Sequence, residues 1–305
     1  MFALSTSWNS WKHHHAQDII NEIKPLGFTQ VELNFSLSES LVQEMGELQK
    51  KGLISIVSVH NFCPIPLGIS RKEASPDSPS LSSTDEQERA LAVKFTKRTI
   101  DTALRLGAAC VVLHTGRVRM REKIRELAAL KNNSEERKFT ALKNRLIKER
   151  SAKSPRFFNQ VLKSLDELSG YALTHKIKLG IENRFYVSEI PLGQELDLLF
   201  ARFPSPPVYY WHDVGHAQIF EYLGFSRQET NLEKFAHRLA GIHLHDVQEM
   251  SDHRAPLTGA FDFSRLRPYM QRELIKVMEV HHPSTKEEII RGLDHLKKVF
   301  SEVTR

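Results

Sequence analysis

The residues able to do chemistry are histidines and carboxylates that close short apolar runs. Such runs end at His60, at His114 and at Glu182; another ends at Asp213 with His216 three residues on, one carries His243, and the last carries Glu279. Imidazole and carboxylate donors together suit a divalent cation such as Zn²⁺, Mn²⁺, Fe²⁺ or Co²⁺. Taken singly, each has a plainer reading: a lone histidine at a strand end is more often a hydrogen-bonded structural residue, and a lone buried carboxylate more often pairs with an arginine. Together they shift the balance. Glu, Asp, His and Glu at the ends of four consecutive apolar strands are costly to bury unless something compensates their charge, and a divalent ion does so.

Eight β-rich runs must position these groups: Phe2–Ser7, Thr29–Asn34, Ile54–His60, Cys110–His114, Lys178–Glu182, Val208–Asp213, Gly241–His245 and Ile275–Val280. Each is followed by a segment of helical spacing, the pattern of parallel βαβ units whose strands are buried on both faces. Eight units predict an α/β fold, a (β/α)8 TIM barrel, in which the strand ends converge on one mouth. A doubly wound open sheet is the competitor, but no Gly-rich phosphate fingerprint follows the first run. Ser83-Thr84 followed by Asp85-Glu86-Gln87-Glu88 predicts an N-cap and an acidic first turn for a helix through Leu106, Gly107 its left-handed end, and Ser284-Thr285-Lys286-Glu287 a capping box opening a last helix to Val299. Two loops are long: Asn61–Ser83, rich in Pro and Ser, and Gly116–Ser154, which breaks at Asn132-Asn133-Ser134 and predicts a helical hairpin.

The 305 residues fit one domain over 1–305, with an insertion at about 117–154. At 40% hydrophobic and 26% charged, the chain is neither disordered nor fibrous. No run approaches a membrane span, and the start MFALSTSWNSW predicts no signal peptide. Two cysteines, Cys63 and Cys110, make no disulfide framework, so a reducing cytoplasm is expected. The net charge of +6 is uneven: residues 117–156 hold 14 Lys/Arg and 5 Asp/Glu, a balance of +9, and the remainder 29 and 32, a balance of −3. Alone, such a segment reads equally as a solvated helical insertion or as a footprint of nucleic acid or phosphate-bearing substrates; beside a metal mouth, a mobile basic hairpin reads as a lid or anion collector.

Ile181-Glu182-Asn183, His212-Asp213-Val214-Gly215-His216, Ile242-His243-Leu244-His245-Asp246 and Val277-Met278-Glu279 resemble the xylose isomerase-like TIM-barrel superfamily, across essentially the whole chain. That group contains sugar-phosphate and ketose isomerases and epimerases, and the metal-dependent apurinic/apyrimidinic endonucleases. The resemblance implies a divalent metal (Mn, Zn, Co, Mg or Fe) on Glu182, Asp213, His243 and Glu279. It also implies Glu182 and Glu279 as the acid/base pair of a sugar isomerase or epimerase working through a metal-stabilised enediolate, with His216 orienting substrate. In the endonuclease branch, His60 and His114 match ligands of a further metal, and His216 and Asp252 of a third. That third site wants a histidine where this chain has Arg254, with His253 one residue earlier. The arginine cannot ligate metal but can clamp a phosphate or carboxylate.

Other residues carry weaker expectations. Arg184 and His60 are candidates for substrate contact; Glu32 is another, but is expected rather to pair with an arginine. Trp8, Phe35, Phe62, Phe185 and Trp211 read equally as pocket wall or core. His245 reads as pointing the same way as His243, and Asp246 as orienting a ligand or capping a helix. His13-His14-His15 reads as surface, and Cys63 has no supporting base for nucleophilic work. The expectation is a metal-dependent isomerase or epimerase acting on a small sugar or sugar phosphate, with an insertion available for a homodimer contact. A metal-dependent phosphodiester hydrolase is the alternative, and a barrel binding metal only structurally is the third class. One ion on four ligands favours the first, two or three the second.

Overall fold

The computed structural model describes residues 1–248 and 250–301; residues 302–305 of the expected domain lie outside the described residues. Its strands are β1 (Ala3–Ser5), β2 (Gln30–Leu33), β3 (Ser55–His60), β4 (Cys110–Leu113), β5 (Lys178–Glu182), β6 (Val208–Asp213), β7 (Leu239–Leu244), β8 (Asp246–Gln248), β9 (Ser251–Arg254) and β10 (Ile275–Met278). All but β8 and β9 form a closed parallel barrel in which β10 pairs with both β7 and β1, and β8–β9 is an antiparallel hairpin on the loop after β7. The expected (β/α)8 barrel is the fold. His114, His245 and Glu279 sit one residue past their ladders, where the chain turns into the loops of the mouth.

The helices are α1 (Ala16–Ile23), α2 (Glu39–Lys50), α3 (Glu86–Arg105), α4 (Ile124–Asn132), α5 (Glu136–His175), α6 (Gln194–Arg202), α7 (Val214–Tyr222), α8 (Thr230–Phe235) and α9 (Lys286–Phe300). The cap of α3 is Asp85, after the expected Ser83-Thr84: its carboxylate accepts from the Gln87 and Glu88 amides, and Gly107 follows the helix with φ +65°. The capping box of α9 lies one residue later than the sequence suggested. Thr285 accepts from the Glu288 amide and Glu288 reaches back to Thr285, while buried Ser284 offers its carbonyl to the Trp8 indole N–H.

Inside the barrel, Ala3, Cys110, Val112, Trp211, Ala240 and Val277 form a packed plug. A side chain at Gly241 would run into the Trp211 indole, so that position must stay bare. Between barrel and helices lies the main core, including Ile19 and Ile20 of α1 and Leu165 and Leu168 of α5. The insertion differs from expectation in two ways. Its second helix does not end near Ser154 but continues through Pro155 to His175, so it extends a barrel helix. Nor is the hairpin loose. Ile124, Leu127, Leu142 and Leu146 pack on Phe185, Val187, Ile219, Phe220 and Val247, which docks it against the loop after β5 and against α7. No helix of the described residues is long and apolar enough to cross a membrane.

Candidate metal centre

Strands β5, β6, β7 and β10 deliver Glu182, Asp213, His243 and Glu279 to the carboxyl-terminal mouth, all buried, with one ligand atom from each within 4.8 Å of the others. His243 Nδ1 lies 3.3 Å from Glu182, 3.6 Å from Asp213 and 2.8 Å from Glu279. Its Nε2 faces Glu32 at 3.1 Å, and Glu32 is held in turn by the Ser58 hydroxyl, which donates at 2.7 Å. The arginine partner expected for Glu32 is therefore an imidazole. Glu32 points into the barrel from β2, so its partner comes from a facing strand, and it turns the ring that aims Nδ1 at the cluster.

Two further groups share this mouth: His60, His114 and Glu182, and His216, Asp252 and His253. In the first, His114 Nε2 lies 2.8 Å and His60 Nε2 3.6 Å from Glu182 Oε2. Asp77, on the long loop after β3, faces His114 Nδ1 at 3.3 Å. In the second, His216 Nε2 and His253 Nδ1 lie 3.7 and 3.2 Å from Asp252. Arg254 stays outside all of these groups, its Nε buried without a partner. His253 enters because its backbone is left-handed, φ +54°, an uncommon conformation for a residue with a Cβ. The turn is enforced: its N–H donates to His245 Nδ1 at 2.9 Å, and its ring stacks between His245 (4.3 Å) and His281 (4.0 Å).

That same bond decides the role of His245. Because Nδ1 accepts, Nε2 carries the proton and donates to Asp213, 2.9 Å from either oxygen. His245 thus shares the mouth with His243, but as the group that holds Asp213. Gly215 leaves room for its ring, which any Cβ there would strike. Asp246 neither orients a ligand nor caps a helix; it accepts from the Val247 and Gly259 amides and staples the β8–β9 hairpin.

Among the described residues, the buried carboxylates Glu32, Glu182, Asp213 and Glu279 share the heart of the site with one buried guanidinium, Arg184, which is itself paired with buried Glu189. Burial opposes ionisation of Glu182, yet the His114 charge and hydrogen bonds from His114, His243 and His60 hold its carboxyl well below the usual range. Asp213 and Glu279 are held down likewise by their imidazoles. Burial opposes protonation of His243 and His253, but Glu279 and Glu32 on the first, and Asp252 and Glu279 on the second, raise both well above the ordinary value. A buried acid set that draws protons onto its own ligand imidazoles is chemically matched to a divalent cation, which supplies the same charge with the donor types at hand. The donor set fits the expected metal.

The remaining candidates are also placed. Arg184 is buried, with Nε and Nη2 donating to Glu189 Oε1 at 3.2 and 2.8 Å. Trp211 lies edge-on to His243 at 5.0 Å as the floor, Phe185 flanks His216 at 5.0 Å, and Phe35 stands 5.7 Å from His60. Trp8 and Phe62 belong to the main core. His13, on the loop between β1 and α1, pairs with Glu22 outside the ligand groups, and burial pushes the Cys63 thiol well up. Sequence reasoning missed Asp77, Glu189 and His281. Only Glu189, seven residues beyond Glu182 in the same loop, left a trace to follow.

A family model for the xylose isomerase-like TIM barrel matches residues 20–299. No curated protein matches the chain. Among solved structures, a D-tagatose 3-epimerase-like protein shares 17% identity at a TM-score of 0.68, covering 99% of this chain and 98% of its own. The TTHB071 protein from Thermus thermophilus, soaked with ZnCl2, shares 20% at 0.61, with 99% and 98% covered. An AP endonuclease, family 2, from Brucella melitensis shares 14% at 0.64, with 96% and 98% covered. At these identities the likeness is one of fold.

Proposed function

Because the chain belongs to the xylose isomerase-like TIM-barrel family, we propose that it is a divalent-metal-dependent isomerase or epimerase of a small sugar or sugar phosphate. The observation that carries this is the Glu182–Asp213–His243–Glu279 cluster, with its two glutamates placed on strands separated in the barrel by β6 and β7. A bound divalent ion would supply Lewis-acid stabilisation of the charge that develops on the substrate's hydroxy-carbonyl oxygens. The chain's own residues do the rest. Glu182 and Glu279 reach the substrate from two sides, one removing the proton beside the carbonyl and the other returning it. Glu32 and His245 fix His243 and Asp213, so the ligands do not reorganise as charge develops. His216 is held by Nδ1 on the Asn183 carbonyl at 3.0 Å and by Nε2 near Asp252, which fixes its ring for orienting substrate, and Arg254 is available for an acidic end.

The test is proton exchange at carbon: metal-loaded protein, a panel of ketoses, aldoses and their phosphates, and deuterated water. Deuterium entering a C–H position in the wild type and lost in Glu182→Gln and Glu279→Gln supports the reading. No exchange with any substrate, together with unchanged metal content in Glu182→Gln, ends it. Phosphodiester hydrolysis is the second reading, favoured by the two additional ligand groups beside the first. Nicking of an abasic-site duplex at low salt separates the two.

A further inference from the structure

We infer that the Arg184 guanidinium takes the place of a cation at the corner formed by His60, His114 and Glu182, so that this chain carries that charge covalently and takes its divalent ion on Glu182, Asp213, His243 and Glu279. This rests on the metal centre proposed above and narrows it. Arg184 Nη1 lies 2.5 Å from His114 Nε2 and 3.5 Å from Glu182 Oε2, the two atoms an ion at that corner would need most. Those two atoms are themselves 2.8 Å apart, so an ion at ordinary bond lengths of about 2.0–2.2 Å to each would press against the guanidinium. Both bodies are positive, and arginine does not give up its proton to relieve the conflict.

The guanidinium is also held where it is. Glu189, fully buried, accepts from Nε and Nη2 through one oxygen and from the Tyr186 amide through the other at 2.9 Å. Swinging Arg184 away would leave that buried carboxylate to the Tyr186 amide and to Arg117, 3.7 Å away, a costly exchange in a buried site. On the far side of His114, Asp77 faces Nδ1 at 3.3 Å, so the ring is boxed between that carboxylate and the Arg184–Glu182 pair. The ring nitrogen that would bind a metal therefore already has the guanidinium on one side and Glu182 on the other. The chemical consequence is specific. An arginine provides positive charge and fixed donors at this corner but no Lewis acidity, so the ligand set resembling a hydrolase's further metal site serves here as an electrostatic wall beside Glu182.

Two variants test it: Arg184→Met, and the double change Arg184→Gln with Glu189→Gln, which removes both charges of the pair and guards against misfolding of the first. Bound Zn²⁺ per chain after dialysis is measured by elemental analysis, and Zn²⁺-soaked crystals are examined by anomalous scattering. Each variant is expected to hold one more equivalent than the wild type, with a new peak between His60, His114 and Glu182 that His114→Ala abolishes. Equal stoichiometry in wild type and both variants overturns the inference, as does a wild-type peak at that corner. Failure of the underlying reading looks different: a wild type that retains no ion, or whose ion survives His243→Ala and Asp213→Asn, overturns the metal centre and this inference together.

Discussion

Glu32 stands to His243 as Asp77 stands to His114: each carboxylate faces one ring nitrogen while the other faces Glu182. Such partners set the tautomer and orientation of a ligating imidazole, and losing one typically costs 10- to 100-fold in metal affinity. Glu32→Gln keeps the shape and removes the charge, so it is expected to weaken Zn²⁺ binding by about that factor with an unchanged far-UV spectrum. Competition against a chromogenic chelator measures it, and wild-type affinity in the variant would refute the orienting role. The metal-facing groups were legible in the sequence because each closes an apolar run, where an acid or imidazole is conspicuous. Glu32 stood in such a run too, but its partner lies 211 positions away across the barrel, and no local pattern carries that distance. His253 was visible only as a residue one place out of register; the left-handed turn that corrects the register depends on His245 and His281, which only the folded chain brings alongside.

Among the elements, α5 links the basic segment to the mouth. Arg150 donates to the Val187 carbonyl at 2.7 Å and the Glu189 carbonyl at 2.8 Å, and forms a two-pronged ion pair with Glu195 at 2.8 and 2.7 Å. It thereby clamps the loop that carries Arg184 and Glu189. Breaking one side of a buried pair costs about 3–5 kcal/mol, whereas removing both sides costs less. Arg150→Ala is thus expected to lower the urea midpoint more than the double change Arg150→Met with Glu195→Gln; the reverse order would show that the clamp is not electrostatic. The break between α4 and α5 was readable at Asn132-Asn133-Ser134, but the continuation of α5 was not, since Pro155 ordinarily ends a helix. A second tie acts at the N-terminal end, where Lys12, His13 and Asn9 converge on Glu22 of α1. Slight burial opposes ionisation there, but the hydrogen bonds from His13, Lys12 and Asn9 win and bring the carboxyl from 4.5 to about 2. A depressed carboxyl contributes stability that is present above its unfolded value and disappears as pH falls through the folded one. The stability gap between wild type and Glu22→Gln is therefore expected at pH 6 and gone near pH 2, a window that denaturant titrations at stepped pH resolve. A gap independent of pH would assign the effect to packing.

For the whole molecule, the net charge of +6 divides into a −3 body and a +9 segment, and the fold divides the segment again. Part of it is structural: Arg150 grips the mouth loop, Lys143 donates to the Leu223 and Gly224 carbonyls at the end of α7, and Arg117 pairs with Asp77. The apolar cluster that docks the hairpin makes this a fixed roof rather than a swinging lid. Arg119, Arg121 and Arg125, all exposed, form no ion pair among the described residues, and Arg121 and Arg125, with Lys123, outnumber Glu122 and Glu126 around a hollow of about 310 Å³ that Tyr186 also lines, next to Phe185 at the mouth. Exposed unpaired charges act at a distance that salt shortens, to about 8 Å at physiological ionic strength. They attract an anion without contributing to the binding of a neutral sugar. Replacing the three arginines with alanine is accordingly expected to weaken binding of a sugar phosphate several-fold at low salt, to flatten its salt dependence, and to leave the corresponding unphosphorylated sugar unaffected. Calorimetric titrations of both ligands across a salt series measure this. Equal losses for the two would place the arginines in the architecture of the roof, and no loss for either would leave the field of the segment without a role in substrate capture.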